Sequence, residues 1–241
     1  MLKLLPESCF GIKIDNTLAA SATVFCYSEQ LAWIGMVLTL PEFRGRGLAR
    51  QVMEHALDYC ARRHIRWVKL DATDMGAPLY EKLGFRGECT VERRLRAPAA
   101  DGGRAPVGWT GQVPLALDRR AFGADRAALL AQLAPLGAAS ASERAYAMGR
   151  PGTKAAYFGP CVSESAEEAR RLLEWFLAAH SGEPVFWDLL EDNAAAVALA
   201  TEYGFRTVRR LTRMSLALEA GAAPIDAANS LVFAIAGFEF G

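Results

Sequence analysis

The sequence predicts an α/β protein built as two related modules. Three observations carry this expectation. A β-rich run at 33–40 ends at Pro41, passes through a Gly-Arg turn, and gives way to a helical pattern over 48–62. A second strand-like run, 67–72, leads into a short helical stretch that stops at Gly84-Phe85. The second half of the chain then repeats the first at a constant shift, from Ala49 to Ala169 and from Trp67 to Trp187.

Taken in order, 8–15 reads as a strand and Asp15-Asn16 as a turn. A second strand covers 17–27, with Thr23, Val24 and Phe25 favouring β structure. Ser28-Glu29-Gln30 turns the chain into the third strand, 33–40, completing a meander. Over 48–62, Leu48, Val52, Met53, Ala56, Leu57 and Cys60 share one helical face. After the strand at 67–72, a helix is expected over 78–83 and a strand over 89–95. The basic stretch 86–96 reads as a solvated strand face. Residues 97–111 carry Pro98, Gly102, Gly103, Pro106, Gly108 and Gly111, the composition of a linker. A helix is expected over 118–134, capped by Asp118 or Asp125, and a last strand over 231–236. The expected organisation is a module at 1–96, a linker at 97–117 and a second module at 118–241.

Gly84-Phe85-Arg86 falls on Gly204-Phe205-Arg206 in the same register that aligns the tryptophans, and Arg93 falls on Arg213. Chance does not readily place two tryptophans and a Gly-Phe-Arg together, so an internal duplication is inferred. The copies differ where chemistry is concentrated. Opposite Arg44, Gly45, Arg46, Gly47 and Leu48 stand Glu164, Ser165, Ala166, Glu167 and Glu168, and opposite Tyr80 stands Ala200.

The first copy's turn has the makings of an anion site. A helix N-terminus offers unpaired N–H groups and a partial positive charge. Gly45 and Gly47 let backbone approach a phosphate, and Arg44 and Arg46 add charged donors. The turn alone leaves the ligand open. In the second copy, glutamates at the helix start suit the dipole and repel a pyrophosphate.

Composition narrows the class. Lys+Arg and Asp+Glu balance at 27 each, which argues against a general nucleic-acid binder. No apolar run is long enough to cross a bilayer, and no membrane role is expected. Cys9, Cys26, Cys60, Cys89 and Cys161 are scattered, without metal-ligand spacing, so no metal is expected and a reducing cytoplasm is the simplest location.

The order strand, Pro41, Arg44-x-x-Gly47-x-Ala49, then strand and Leu79-Tyr80-Glu81-Lys82-Leu83-Gly84-Phe85, resembles the acetyl-CoA signature and closing helix of the GNAT superfamily of N-acetyltransferases. The second half resembles the degenerate C-terminal domain found after a catalytic domain in some GNAT proteins. The resemblance implies tandem GNAT-like modules, each a mixed, mostly antiparallel sheet flanked by helices. Most members have a strand and one or two helices before the meander, and this chain starts almost directly on it.

The resemblance also implies a site. Acetyl-CoA is the expected co-substrate, its pyrophosphate on the backbone of Arg44, Gly45, Arg46, Gly47, Leu48 and Ala49, and its pantetheine along Val37, Leu38 and Thr39. Seven residues before Tyr80, where the family has asparagine, this chain has Thr73, which stands among the implied cofactor-binding residues but weakens one expected CoA contact. Tyr80 is the implied general acid for the departing thiolate. The bland alternative is an aromatic packing under its helix. No general base is legible. Glu29 and Glu42 flank the third strand, while His55 and His64 read as solvated. His180 reads as a helix C-cap, and Trp33, Trp109, Trp175 and Trp187 as core or interface. The implied activity is acetyl transfer to a small-molecule or peptide amine, and a homodimer stays open. The alternative is an acyl-CoA-binding sensor or scaffold without turnover.

Overall fold

The computed structural model describes residues 6–99, 113–136 and 138–241; Trp109 and most of the expected linker lie outside these. The first repeat contains β1 (Cys9–Ile14), β2 (Thr17–Tyr27), β3 (Leu31–Thr39), α1 (Leu48–Arg62), β4 (Trp67–Ala72), α2 (Ala77–Lys82) and β5 (Arg86–Arg96). The second follows with α3 (Leu115–Phe122), α4 (Ala127–Leu133), β6 (Ala138–Ser142), β7 (Ala145–Arg150), β8 (Ala156–Ser163), α5 (Ala166–Ala179), β9 (Val185–Leu190), α6 (Ala194–Glu202), β10 (Arg206–Ala217) and β11 (Val232–Ala234). β5 and β10 begin at Arg86 and Arg206, the same shift that the sequence repeat shows.

These elements form two compact units that do not follow a single cut in the chain. The first comprises residues 1–88, 212–225 and 238–241, and the second comprises 89–211 and 226–237. The expected division at 96/97 therefore gives way to two exchanges. β5 enters the second unit at Cys89 and pairs antiparallel with β9. β10 enters the first unit at Thr212 and pairs antiparallel with β4. β5 of the first repeat and its counterpart β10 of the second thus each join the sheet of the other repeat's unit.

In the first unit, β1, β2 and β3 form the antiparallel meander, and β3 runs parallel to β4. Helical spacing puts Val52, Met53, Ala56 and Cys60 of α1 on one face, packed in one cluster with Val24, Ile34, Val68 and Leu70 of the sheet. Full burial of each large apolar side chain contributes about 1.5–3 kcal/mol. Cys60 is core filler, as its position on the helix face suggests, and burial pushes its thiol up to about 12. A buried pair ties β10 to this sheet. Arg213 donates from Nε and Nη2 to the two carboxylate oxygens of Asp71 at 2.9 and 3.0 Å, with its guanidinium 4.6 Å above the ring of Trp33. A pair of this kind is costly to break, because either partner alone is a buried charge.

In the second unit, β9 is parallel to β8, and β7 and β6 extend the sheet antiparallel. α5 buries Leu172, Leu173 and Phe176 in one cluster with Phe158 and Trp187. The single helix expected over 118–134 is two. Gly123, at φ +83°, ends α3, and α4 starts afresh with Asp125 accepting from the Ala127 N–H at 2.9 Å. Asp118 caps nothing. It is buried and binds Arg126 at 2.8 Å and the Tyr146 hydroxyl.

The expected solvated basic face of β5 is also corrected. Arg93 forks onto Asp188 at 2.8 and 2.6 Å. Arg94 is buried against Glu92 and Thr201, and Arg96 donates to the Tyr203 carbonyl. His180 is the C-cap residue of α5, while His55 and His64 are exposed. Trp33 and Trp187 are buried in their respective units and Trp175 is half-buried.

Candidate active site

The site expected from the sequence falls within the first unit and starts at a defect in β3. Thr23 and Ser21 of β2 face Gly35 and Leu38 of β3, so Met36 and Val37 stand opposite the single residue Ala22. Met36 takes φ +51° to accommodate the extra residue. The β3–β4 ladder runs only from Leu31–Trp67 to Trp33–Lys69. Past it, among the described residues, no strand pairs with β3 on the β4 side. The chain therefore presents an extended edge at Val37, Leu38 and Thr39, with Val37 packed into the core and Leu38 exposed. Such an edge can accept an extended, amide-bearing ligand as an added strand.

That edge leads into the Gly-Arg turn. Pro41–Phe43 makes one 3-10 turn, and Arg44 Nε donates back to the Thr39 carbonyl at 3.3 Å. The Arg46 guanidinium lies 5.2 Å from the Phe43 ring centroid. Gly45 and Gly47 have φ of +75° and +78°, a region that side chains disfavour. Gly47 is the N-cap of α1 and provides no side-chain cap, and the first turn holds no acidic residue. Arg44, Gly45, Arg46 and Gly47 are exposed. Leu48 buries its side chain against Ala19 and Ala20, and Ala49 is half-buried. The result is an uncapped helix start flanked by two arginines, an electrostatic match for phosphate.

Thr73 and Tyr80 sit beyond the end of β4. The Thr73 hydroxyl accepts from the Gly76 N–H at 3.2 Å, which spends it on the turn into α2. Tyr80 is 7% exposed, packs edge-on to Phe85 at 6.1 Å, and rests against Gly76. Burial pushes its phenol up to about 12. Among the described residues its hydroxyl has no hydrogen-bond partner, yet the oxygen is not sealed from solvent. Tyr80 is thus a core ring whose hydroxyl is not sealed from solvent.

Comparison with known families decides the class. The Acetyltransferase (GNAT) family profile matches residues 2–85, and an Acetyltransferase (GNAT) domain profile matches residues 115–233. The chain belongs to the GNAT superfamily. No curated protein matches the sequence. Among solved structures, a candidate acetyltransferase from Pyrococcus horikoshii superposes with TM-score 0.85 at 22% identity, over 100% of this chain and 82% of its own. A GCN5-related N-acetyltransferase from Sphaerobacter thermophilus gives 0.63 at 15%, covering 89% and 81%. A tandem GNAT protein from the clavulanic acid biosynthesis pathway gives 0.58 at 16%, covering 92% and 87%. At these identities the likeness establishes the fold, and GNAT acetyltransferases are enzymes of acyl transfer.

The second GNAT unit carries the same framework with its corresponding places occupied. The β8–β9 ladder likewise stops after three pairs, at Phe158–Trp187. Here β11 takes over. It pairs with β8 at Val162 and Cys161, and Ile235 N–H donates to the Asp188 carbonyl of β9 at 2.9 Å. Trp187 Nε1 donates to the Phe233 carbonyl at 2.8 Å, and Tyr157 donates its hydroxyl proton to the Ile235 carbonyl at 3.1 Å. A side chain on Gly159 would collide with that same carbonyl. Asn193, the shifted counterpart of Thr73, donates to the carbonyls of Ser230 and Val232 at 3.1 and 3.0 Å. The start of α5 is capped, with Ser165 Oγ accepting from Glu168 N–H at 3.2 Å, and Glu164 is ion-paired with Arg120 and Arg144. Ala200, in the place of Tyr80, is fully buried.

The sequence did not reveal that Arg213 would pair with Asp71 over Trp33, or that Phe238 and Phe240 would accept hydrogen bonds from Trp33 and Tyr27. Only the entry of β10 into the first unit and the return of residues 238–241 to it make these contacts. Among the described residues no group of His, Cys, Asp or Glu is arranged to hold a metal ion, and no helix is long and apolar enough to cross a membrane.

Proposed function

We propose that the first unit binds acetyl-CoA and transfers its acetyl group to an amine. The observation that carries this is the continuity of an unpaired β3 edge with an uncapped, arginine-flanked helix start. In this reading the pyrophosphate takes N–H groups of the turn from Arg44 to Ala49. The pantetheine amides pair with β3 along Val37, Leu38 and Thr39. Thr73 contributes through the turn it holds. The amine nitrogen attacks the thioester carbonyl, whose oxygen is stabilised by a backbone N–H of β3 at the bulge. The C–S bond breaks as the nitrogen's surplus proton passes to solvent, and the sulfur leaves with a hydrogen bond from Tyr80, to be protonated to CoA by solvent. Tyr80 is well placed to remain protonated, and its weak acidity makes it a hydrogen-bond donor to the developing thiolate more than a full proton source.

The second unit serves as scaffold in this proposal, its strand gap filled by β11. A cytoplasmic location is included on the strength of the scattered cysteines. The test is CoA release from acetyl-CoA, followed with a thiol reagent, across a panel of amines. Amine-dependent release with formation of the N-acetyl product is expected. Binding of acetyl-CoA with no release for any amine would support the non-catalytic sensor in its place.

A further inference from the structure

Resting on the acetyl-transfer reading, we propose that Ser21 and Thr23 of β2 are positioning residues for the reaction. Their hydroxyls turn two successive peptide groups of the β3 bulge so that the Met36 and Val37 N–H groups together receive the thioester oxygen.

A regular strand cannot offer that pair, because successive N–H groups along it point to alternate sides. The bulge breaks the alternation. Ala22 stands opposite both Met36 and Val37, and Met36 takes φ +51°. Where a ladder is interrupted, backbone acceptors need other donors. The two residues that flank Ala22 supply them. Thr23 Oγ1 donates to the Gly35 carbonyl at 3.1 Å, and Ser21 Oγ donates to the Met36 carbonyl at 3.0 Å. Thr23 is buried and Ser21 half-buried.

Planarity of the peptide group converts these two bonds into a direction. In a trans peptide the carbonyl of one residue and the N–H of the next point opposite ways. Holding the Gly35 and Met36 carbonyls toward β2 therefore turns the Met36 and Val37 N–H groups away from it. They face the edge where the β3–β4 ladder has ended at Trp33–Lys69. A residue with a side chain disfavours the positive φ that Met36 adopts. The hydroxyls thus hold a conformation that the backbone does not choose unaided.

The second unit has the same defect without these parts. Ala147 and Gly149 of β7 face Cys161 and Phe158 of β8, so Gly159 and Pro160 stand opposite the single residue Met148. Neither flanking residue carries a hydroxyl, and Pro160 has no N–H. The copy whose helix start is capped and whose strand gap is filled therefore also lacks the paired donors.

The experiment reads the carbonyl directly and needs no acceptor amine. Acetyl-CoA carrying an isotope label at the thioester carbonyl is bound to the intact chain, and its C=O stretch is followed by infrared difference spectroscopy. Binding to the wild type should lower the stretch, the signature of donors aimed at the carbonyl oxygen. Ser21→Ala and Thr23→Val should each lose part of that shift, and together most of it, while the Kd for acetyl-CoA rises less than about threefold. Ser21→Thr and Thr23→Ser keep the hydroxyls and should keep the shift. Met36→Gly should restore part of the shift to the double variant, since glycine takes the positive φ without help. A full wild-type shift in the double variant, or no rescue by Met36→Gly, would make the hydroxyls ordinary sheet contacts and overturn the proposal. So would loss of the fold or of acetyl-CoA binding in both single variants. A wild type that binds acetyl-CoA with no shift would overturn the oxyanion placement as well. No binding to the wild type would overturn the acetyl-transfer reading itself.

Discussion

Replacing Gly47 by glutamate should cripple binding of acetyl-CoA without unfolding the first unit. A Cβ at Gly47 would meet nothing within 4 Å, so the substitution has no steric conflict. Its φ of +78° costs a side-chain-bearing residue roughly 1–2 kcal/mol, a loss of stability that the unit can absorb. The effect on binding is electrostatic. A carboxylate about 4 Å from a phosphate charge costs about 4 kcal/mol at an effective dielectric of 20, and about 1 kcal/mol if water screens it fully. Because the turn is exposed, the expected loss lies between these limits, roughly five- to a thousandfold in Kd. Gly47→Ala isolates the backbone cost and should keep most of the affinity. Calorimetric titration should be run with acetyl-CoA and with acetyl-pantetheine, which lacks the nucleotide and pyrophosphate. Only acetyl-CoA should lose affinity, and the loss should shrink as salt is raised. Unchanged affinity for acetyl-CoA in Gly47→Glu, or equal losses for both ligands, would refute the placement of the pyrophosphate.

Three further outcomes follow from the same structure. Tyr80→Phe keeps the buried ring and should leave acetyl-CoA affinity nearly unchanged while steady-state turnover falls roughly 10–100-fold, since a hydrogen bond to a charged group contributes about 1.5–3 kcal/mol; wild-type turnover would leave only the packing role. A fragment of residues 1–96 should fail to fold in near-ultraviolet circular dichroism, because it lacks the 212–217 strand and leaves Asp71 buried without Arg213, a loss of about 3–5 kcal/mol. Burial pushes the Glu92 carboxyl up, but bonds from Arg94, Thr207 and Arg210 outweigh this and hold it below its ordinary value. Its stabilisation is therefore present above the ordinary carboxylate range and lost as pH falls through the folded pKa. Glu92→Gln should cost about 1–3 kcal/mol near neutrality in chemical denaturation, and the gap from wild type should narrow on acidification.

Local signals in this chain are easy to read, and long-range ones are not. The apolar face of α1 and the alternation of β4 are written in consecutive residues, so both elements fall where periodicity puts them. The helix expected over 118–134 broke at Gly123 because its apolar positions continue across a residue whose left-handed φ ends the first segment. The basic run of β5 looked solvated because its acidic partner Asp188 lies far along the chain. The same holds for Asp71 and Arg213, which meet only after β10 crosses into the first unit. The Gly-Arg turn was legible as a motif. The bulge at Met36 was not, since nothing in Gly35-Met36-Val37 announces an extra residue until β2 is aligned beside it. The differences of the second copy at the turn and at Tyr80 were legible in Glu164 and Ala200. That β11 fills its strand gap was not, because Val232–Ala234 reads as any short apolar strand.

The measurement that bears most directly on the account is the stoichiometry of acetyl-CoA binding to the intact chain. The first unit offers an unpaired β3 edge and an uncapped helix start, and the second has β11 and Ser165 in the corresponding places. Calorimetric titration should therefore give one acetyl-CoA per chain, with Gly47→Glu weakening that single site. A stoichiometry near two would show that β11 does not close the second unit. No binding at all would contradict the assignment of the first unit as an acyl-CoA site.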